Sequence, residues 1–245
     1  RQKGSLLTMI MADIETYADS MSMKFVLGSE SFDNWDSYVQ TIQSFGKSAK
    51  GIGISCPGPL DLLHGYILTT TNLGEKWWNY PICEKLSEAT GLPVYLENDA
   101  NLACLAEAVI GRGKNYHYVQ FMTVSTGVGS GLVINKKIYQ GAHGFAHEIA
   151  NIPLWKDGPT HGSIYPGGVE AICSGTAITS RANRAGLNAA HAGEVNDLAE
   201  SGNETAMQII DDAKEFLANA IAIIYAFIDP DIVILGGSVA LKIPG

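Results

Sequence analysis

Three things are scarce in this sequence, and each scarcity narrows what the chain can do. Cysteine is the first: Cys56, Cys83, Cys104 and Cys173 lie far apart and form no C-x-x-C pair. That argues against a disulfide framework and a simple zinc motif, and it fits a reducing, cytoplasmic location. Positive charge is the second: 16 Lys and Arg face 25 Asp and Glu, a net charge of −9. Such a surface repels phosphate backbones, so no nucleic acid is expected as a partner of this chain. Long hydrophobic runs are the third. FLANAIAIIYAFI (216–228) is the longest apolar-rich helical stretch. It falls short of the about 20 residues of a membrane span and reads as a core helix, so no membrane partner is expected. LLTMIM near the start is too short for a signal peptide and runs at once into ADIETYAD.

What is present reads as a folded α/β protein. Hydrophobic residues make up 46% and charged residues 17%, the balance of a globular chain. Helical apolar spacing runs through 5–19 and again through 33–46. AKGIGISCPGP (49–59) is a buried strand entering a Pro/Gly loop, 82–90 is helical, and LPVYLEND is strand into loop. This alternation of strand and helix favours an α/β fold. YVQFMTVS and GLVINKKIYQG flank TGVGSG and read as a hairpin. Residues 141–176 are rich in Gly, His and Pro and read mostly as loop. Helices are expected at 176–186 and 204–228, stopped by Asp229-Pro230, before the strand and glycine turn of DIVILGGSVA.

Four stretches carry the polar chemistry. In ENDAN (97–101), Asn98 or Asp99 either caps a helix beginning near Leu102, or Asp99 takes a proton from a substrate hydroxyl that Asn98 orients. In STGVGSG (125–131) the glycines let backbone N–H groups converge and Thr126 adds a hydroxyl, which suits phosphate as well as a plain turn. Neither a Walker loop nor G-x-G-x-x-G is present. ILGGS (234–238) repeats the idea at the end of a strand, where open α/β sheets bind ligands. HGFAHEIANIP (143–153) holds two His and a Glu, but not in H-E-x-x-H order. Glu148 there, and Glu170 in GGVEAICSG, read either as solvent-exposed loop acids or as acceptors of hydrogen bonds from sugar hydroxyls.

Taken in order, GIGISCPGP, GLPVYLENDAN, STGVGSGLVINKKIYQGAHGFAHEI, GGVEAICSG and IDPDIVILGGS resemble the ROK family of sugar kinases and sugar-responsive repressors, from about Lys50 to Ser238. The resemblance implies an actin-like ATPase fold of the hexokinase type, two α/β lobes with sugar and ATP in the cleft. The lobe boundary then falls between 1–96 and 97–245. It implies transfer of the γ-phosphoryl of ATP, with Mg2+, to a hexose hydroxyl, usually the 6-hydroxyl of glucose or a related sugar. Carried over, Asp99 is the base, Asn98, Glu148, Asn151 and Glu170 contact sugar, Thr126 and Gly127 belong to the phosphate loop, and Gly236 and Gly237 to the adenosine loop. A homodimer is the family's common assembly.

Three departures qualify the resemblance. The family's E-x-G-H reads EIAN, so Asn151 stands at a histidine position, and Gly168 stands where a cysteine precedes x-Glu. No structural zinc is therefore expected. The N-terminal D-x-G-G-T loop has only MADIETYADS as its nearest counterpart, and the chain stops at GGSVALKIPG, ahead of the usual C-terminal helices. The expected fold is thus incomplete at both ends. The alternative functions are a sugar-responsive transcriptional regulator and a non-catalytic sugar-binding protein.

Overall fold

The amphipathic spacing of WDSYVQTIQS forms helix α1 (Trp35–Ser44). IGISC forms strand β1 (Ile52–Cys56), and the chain then makes a small hairpin of β2 (Leu60–Asp61) and β3 (Tyr66–Ile67). Helix α2 (Ile82–Thr90) follows, and VYLEN forms β4 (Val94–Asn98). β4 lies parallel to β1, with Ile52 opposite Val94 and Cys56 opposite Asn98. A parallel pair needs a long crossover, and the hairpin with α2 supplies it. Cys56, Leu60, Ile67, Trp77, Ile82 and Leu86 form the core here, with Trp35 and Val39 of α1 packed against them. This computed structural model describes residues 35–44, 50–69 and 74–243. The expected helix at 5–19 and the segment MADIETYADS lie outside the described residues.

The chain divides into two compact units, Arg1–Asp99 and Ala100–Gly245. The second is built on a four-stranded sheet of β5 (Tyr118–Val124), β6 (Val128–Ile134), β7 (Lys137–Ile138) and β8 (Ile232–Gly236), in the order β7-β6-β5-β8. β5 pairs antiparallel with β6 and parallel with β8. Helix α3 (Asp99–Val109) packs Cys104 and Ala108 against Val119, Val133 and Ile234 of the sheet. Two short helices, α4 (Val169–Cys173) and α5 (Gly175–Arg184), are followed by α6 (Ala192–Glu200) and the long α7 (Glu204–Ile228). Val169 and Ile172 of α4 meet Met122, Val124 and Ile224 in one core, while Ile178, Val195 and Ile210 join α5, α6 and α7 in a second. A last helix, α8 (Ser238–Lys242), follows β8. No helix among the described residues is long and apolar enough to cross a membrane.

Several expectations shift by a few residues, each for a local reason. α7 spans the expected 204–228, with Asn203 accepting a hydrogen bond from the Ala206 N–H as its cap and Asp229 leaving the helix in the left-handed conformation. α4 lies within a stretch read as loop: its five residues are too few to show helical periodicity. The hairpin turn is shorter than TGVGSG, because Gly129, Ser130 and Gly131 continue into β6. Gly131 answers to packing rather than turning. A Cβ there would lie 2.9 Å from the Asn101 Oδ1 and 3.1 Å from the Ala100 carbonyl. The missing side chain lets the first turn of α3 rest on the sheet. Gly131→Ala is expected to lower unfolding free energy by about 1–3 kcal/mol in a denaturant titration, the penalty of overpacking.

Candidate active site

β4 ends at Asn98 and α3 begins at Asp99, with no intervening loop. The helix therefore starts three residues before the expected Leu102. An acid in the first turn favours that early start, since its charge complements the positive end of the helix dipole. Asn98 is half-buried and Asp99 is exposed. Across the β1–β4 pair, Asn98 faces Cys56. Burial, and secondarily the charge of Asp99, push the Cys56 thiol up to about 12. The corner thus presents one solvent-facing carboxylate at the carboxyl end of a parallel strand, where α/β folds place reacting groups.

In the second unit, the turn Ser125–Gly127 joins β5 to β6 and is anchored from three sides. The Gly175 N–H donates to the Ser125 carbonyl at 2.7 Å, and the Thr176 hydroxyl donates to the Thr126 carbonyl at 2.6 Å. The Thr176 Oγ1 also lies 2.9 Å from the His161 Nε2. With its proton engaged by Thr126, the hydroxyl accepts here, so His161 carries its proton on Nε2. Ser174 caps α5 by accepting from the Ala177 N–H. The amino end of α5 is thus occupied in holding the turn. From the far side, the Ser125 and Ser238 hydroxyls approach to 3.3 Å. Gly237 sits at φ +87°, and a Cβ there would lie 2.3 Å from the Val124 carbonyl, so only glycine fits.

These groups open onto a cavity of about 1070 Å³, lined by Thr126, Ser238 and residues of α5, α6 and α8. The volume is at the upper end of the range for small-molecule sites. Thr126 was expected here; Gly127 lies in the turn beside it, Gly236 ends β8 and Gly237 follows it, and none of these three lines the cavity. Thr176, Asn183, Asn196, Asp197 and Lys242 also line the cavity and were not anticipated. Ser174-Gly175 ahead of a helix was a readable signal for Thr176; α6 carries no motif, so Asn196 and Asp197 had none.

Of the expected sugar contacts, Glu148 is exposed at the start of a 3₁₀ turn (Ile149–Asn151). The Asn151 Oδ1 accepts from the Tyr165 N–H at 3.4 Å. His147, next to Glu148, holds φ +67° without being glycine, and burial lowers its pKa. Glu170 projects from α4, and its Oε2 accepts the Val128 N–H at 2.8 Å. The structure therefore joins Glu170 directly to the phosphate-loop candidate. Among the described residues, no group of three or more His, Cys, Asp or Glu is placed to hold a metal ion.

The ROK family model matches residues 35–242. The chain belongs to the ROK family. A glucokinase of Thermotoga maritima is 32% identical over 212 residues, 80% of this chain and 66% of its own length. A putative xylose repressor of a Caldicellulosiruptor species is 30% identical over 203 residues, covering 78% of this chain and 50% of its own length. The crystal structure of a ROK hexokinase from Thermus thermophilus superposes with a TM-score of 0.76 at 32% identity, over 85% of this chain and 72% of that one. This ROK chain therefore has the actin-like ATPase fold and spans just under two thirds of the glucokinase it matches.

Burial sets the reactivity of the ROK chain's thiols. It is the leading reason that Cys56, Cys104 and Cys173 titrate at about 12. A thiol raised that far stays protonated and unreactive at mildly alkaline pH. Aromatic-disulfide labelling of the native protein is expected to reach only the half-buried Cys83, with the other three reacting after denaturant is added.

Proposed function

We propose that the protein transfers the γ-phosphoryl of ATP to a hexose hydroxyl, with the 6-hydroxyl of glucose or a related sugar as acceptor. The observation that carries this reading is the corner at Asn98–Asp99, which ends a parallel strand in one solvent-facing carboxylate. The likeness to a glucokinase and a ROK hexokinase supports it. In this reading Asn98 fixes the direction of the hydroxyl, and Asp99 accepts its proton as the oxygen attacks the γ-phosphorus and ADP leaves. Phosphoryl transfer needs positioning and charge stabilisation more than covalent help, so one placed carboxylate suffices on the acceptor side.

Glu148 and Glu170 accept hydrogen bonds from the remaining sugar hydroxyls, and the Asn151 amide donates one. The backbone of Thr126 and Gly127 cradles the phosphates, and the Gly236-Gly237 turn lies against the adenosine. Mg2+ enters on the triphosphate as part of the substrate and neutralises its charge. A magnesium ion bound in this way keeps most of its ligands as water and phosphate, and Asp197 is the acid in the cavity lining.

A sugar-responsive regulator using the same residues to bind an effector is the second reading, favoured by the relation to a putative xylose repressor. The two part at Asp99. Asp99→Asn is expected to lower kcat by about 10²–10⁴, the usual contribution of a general base. Sugar affinity, measured by calorimetry on the same variant, is expected to stay near that of the wild type. A variant that turns over at the wild-type rate would remove Asp99 as the base.

A further inference from the structure

The segment from Asn151 to Glu170 joins two of the proposed sugar contacts, and its order has to come from somewhere. Cysteines bound to zinc would supply it in the family pattern, but Gly168 stands at one of those positions. A Cβ at Gly168 would lie 2.7 Å from the Ile164 Cγ2 and 3.0 Å from the Ala150 carbonyl. The backbone has taken a path that is closed to a cysteine side chain.

Two layers of contact hold that path. The first is backbone pairing between the ends of the segment. The Val169 N–H donates to the Ile152 carbonyl at 3.2 Å and the Leu154 N–H to the Gly167 carbonyl at 2.9 Å, around a bridge between Pro153 and Gly168. The second is Trp155. Its ring stacks on Phe216 at 5.1 Å with an 8° interplanar angle, and the Arg181 guanidinium carbon lies 5.6 Å from the ring centroid. Arg181 is ion-paired with Asp212, and the Gln208 amide donates to the other Asp212 oxygen at 2.8 Å. Gln208, Asp212 and Phe216 are spaced four apart and so share one face of α7. The ion pair is shielded, with side chains 14% and 12% exposed, so water screens it less than a surface pair. α5 and α7 together grip a single indole in the middle of the segment's pinned end.

We propose that Trp155, held by its stack on Phe216 and its contact with Arg181, is a positioning residue that sets Asn151 and Glu170 for sugar contact, a metal-free replacement for the zinc-ordered loop; the proposal rests on the sugar-kinase reading above. Trp155 packs on Phe216 and Arg181 of the two helices, so its effect is to reach sugar binding through Asn151 and Glu170. The nucleotide cavity has neither Trp155 nor Arg181 in its lining.

Trp155→Ala, Trp155→Phe and Arg181→Met are compared with the wild type by steady-state kinetics and by hydrogen–deuterium exchange over 151–170. Trp155→Ala is expected to speed exchange there and to raise the sugar KM about 10–100-fold, the penalty of displacing a substrate-holding group by about an ångström. The KM for ATP is expected to stay unchanged. Trp155→Phe, which keeps the stack on Phe216, is expected to recover most of the sugar affinity. Should Trp155→Ala fail to fold, Arg181→Met carries the same comparison. Unchanged exchange, or faster exchange with an unchanged sugar KM, would overturn the clamp. If the wild type binds no sugar, the kinase reading fails; faster exchange in Trp155→Ala would then leave the clamp standing without its ligand.

Discussion

The hydrogen bond from the Val128 N–H to the Glu170 carboxylate, 2.8 Å long, is the contact on which the site of the second unit depends. It connects the strand that leaves the phosphate-loop candidate to the helix that carries a proposed sugar contact. A carboxylate accepting a backbone N–H makes a stronger bond than a neutral pair, and it fixes direction as well as distance. Because Glu170 lies in the first turn of the short α4, which runs through Ser174 into α5, the same helix pair then returns to hold Ser125 and Thr126 by their carbonyls. The turn is built to keep one shape.

In the proposed reading, rigidity of that kind serves phosphoryl transfer. Donors aimed at a charge help most when they do not have to reorganise as the charge develops. Here the amino end of α5 is committed to the turn, whose Ser125 and Thr126 line the cavity. Asp99 is set by a separate device, in which Gly131 clears space for the first turn of α3 against the sheet. In the proposed reading, the acceptor side thus rests on packing of small residues, and the phosphate side on the hydrogen bonds of Glu170, Gly175 and Thr176. Such packing loses less conformational entropy when a substrate is bound.

Much of this was legible in the sequence because the informative residues punctuate strands and helices. VYLEND gave β4, Asp229-Pro230 marked the end of α7, and the glycines of STGVGSG marked the junction of β5 and β6. The start of α3 was misjudged by three residues, since Asn and Asp serve equally as cap or first-turn residue and only the backbone decides. α4 and α6 were missed for a different reason: α4 is too short for periodicity and α6 carries no motif. Trp155 was invisible as a site residue. Its partners Arg181 and Phe216 lie 26 and 61 positions further on, and nothing local in any of the three foretells that they meet.

The central claim is sugar-dependent phosphoryl transfer. Its most direct test is a coupled assay of ADP release by the protein with Mg-ATP, across a panel of hexoses and N-acetylhexosamines. The account predicts ADP release that depends on one of these sugars and is absent without it. Absence of turnover with every sugar, while one of them still raises the melting temperature, would contradict the account and leave a sensor or a non-catalytic binder in its place.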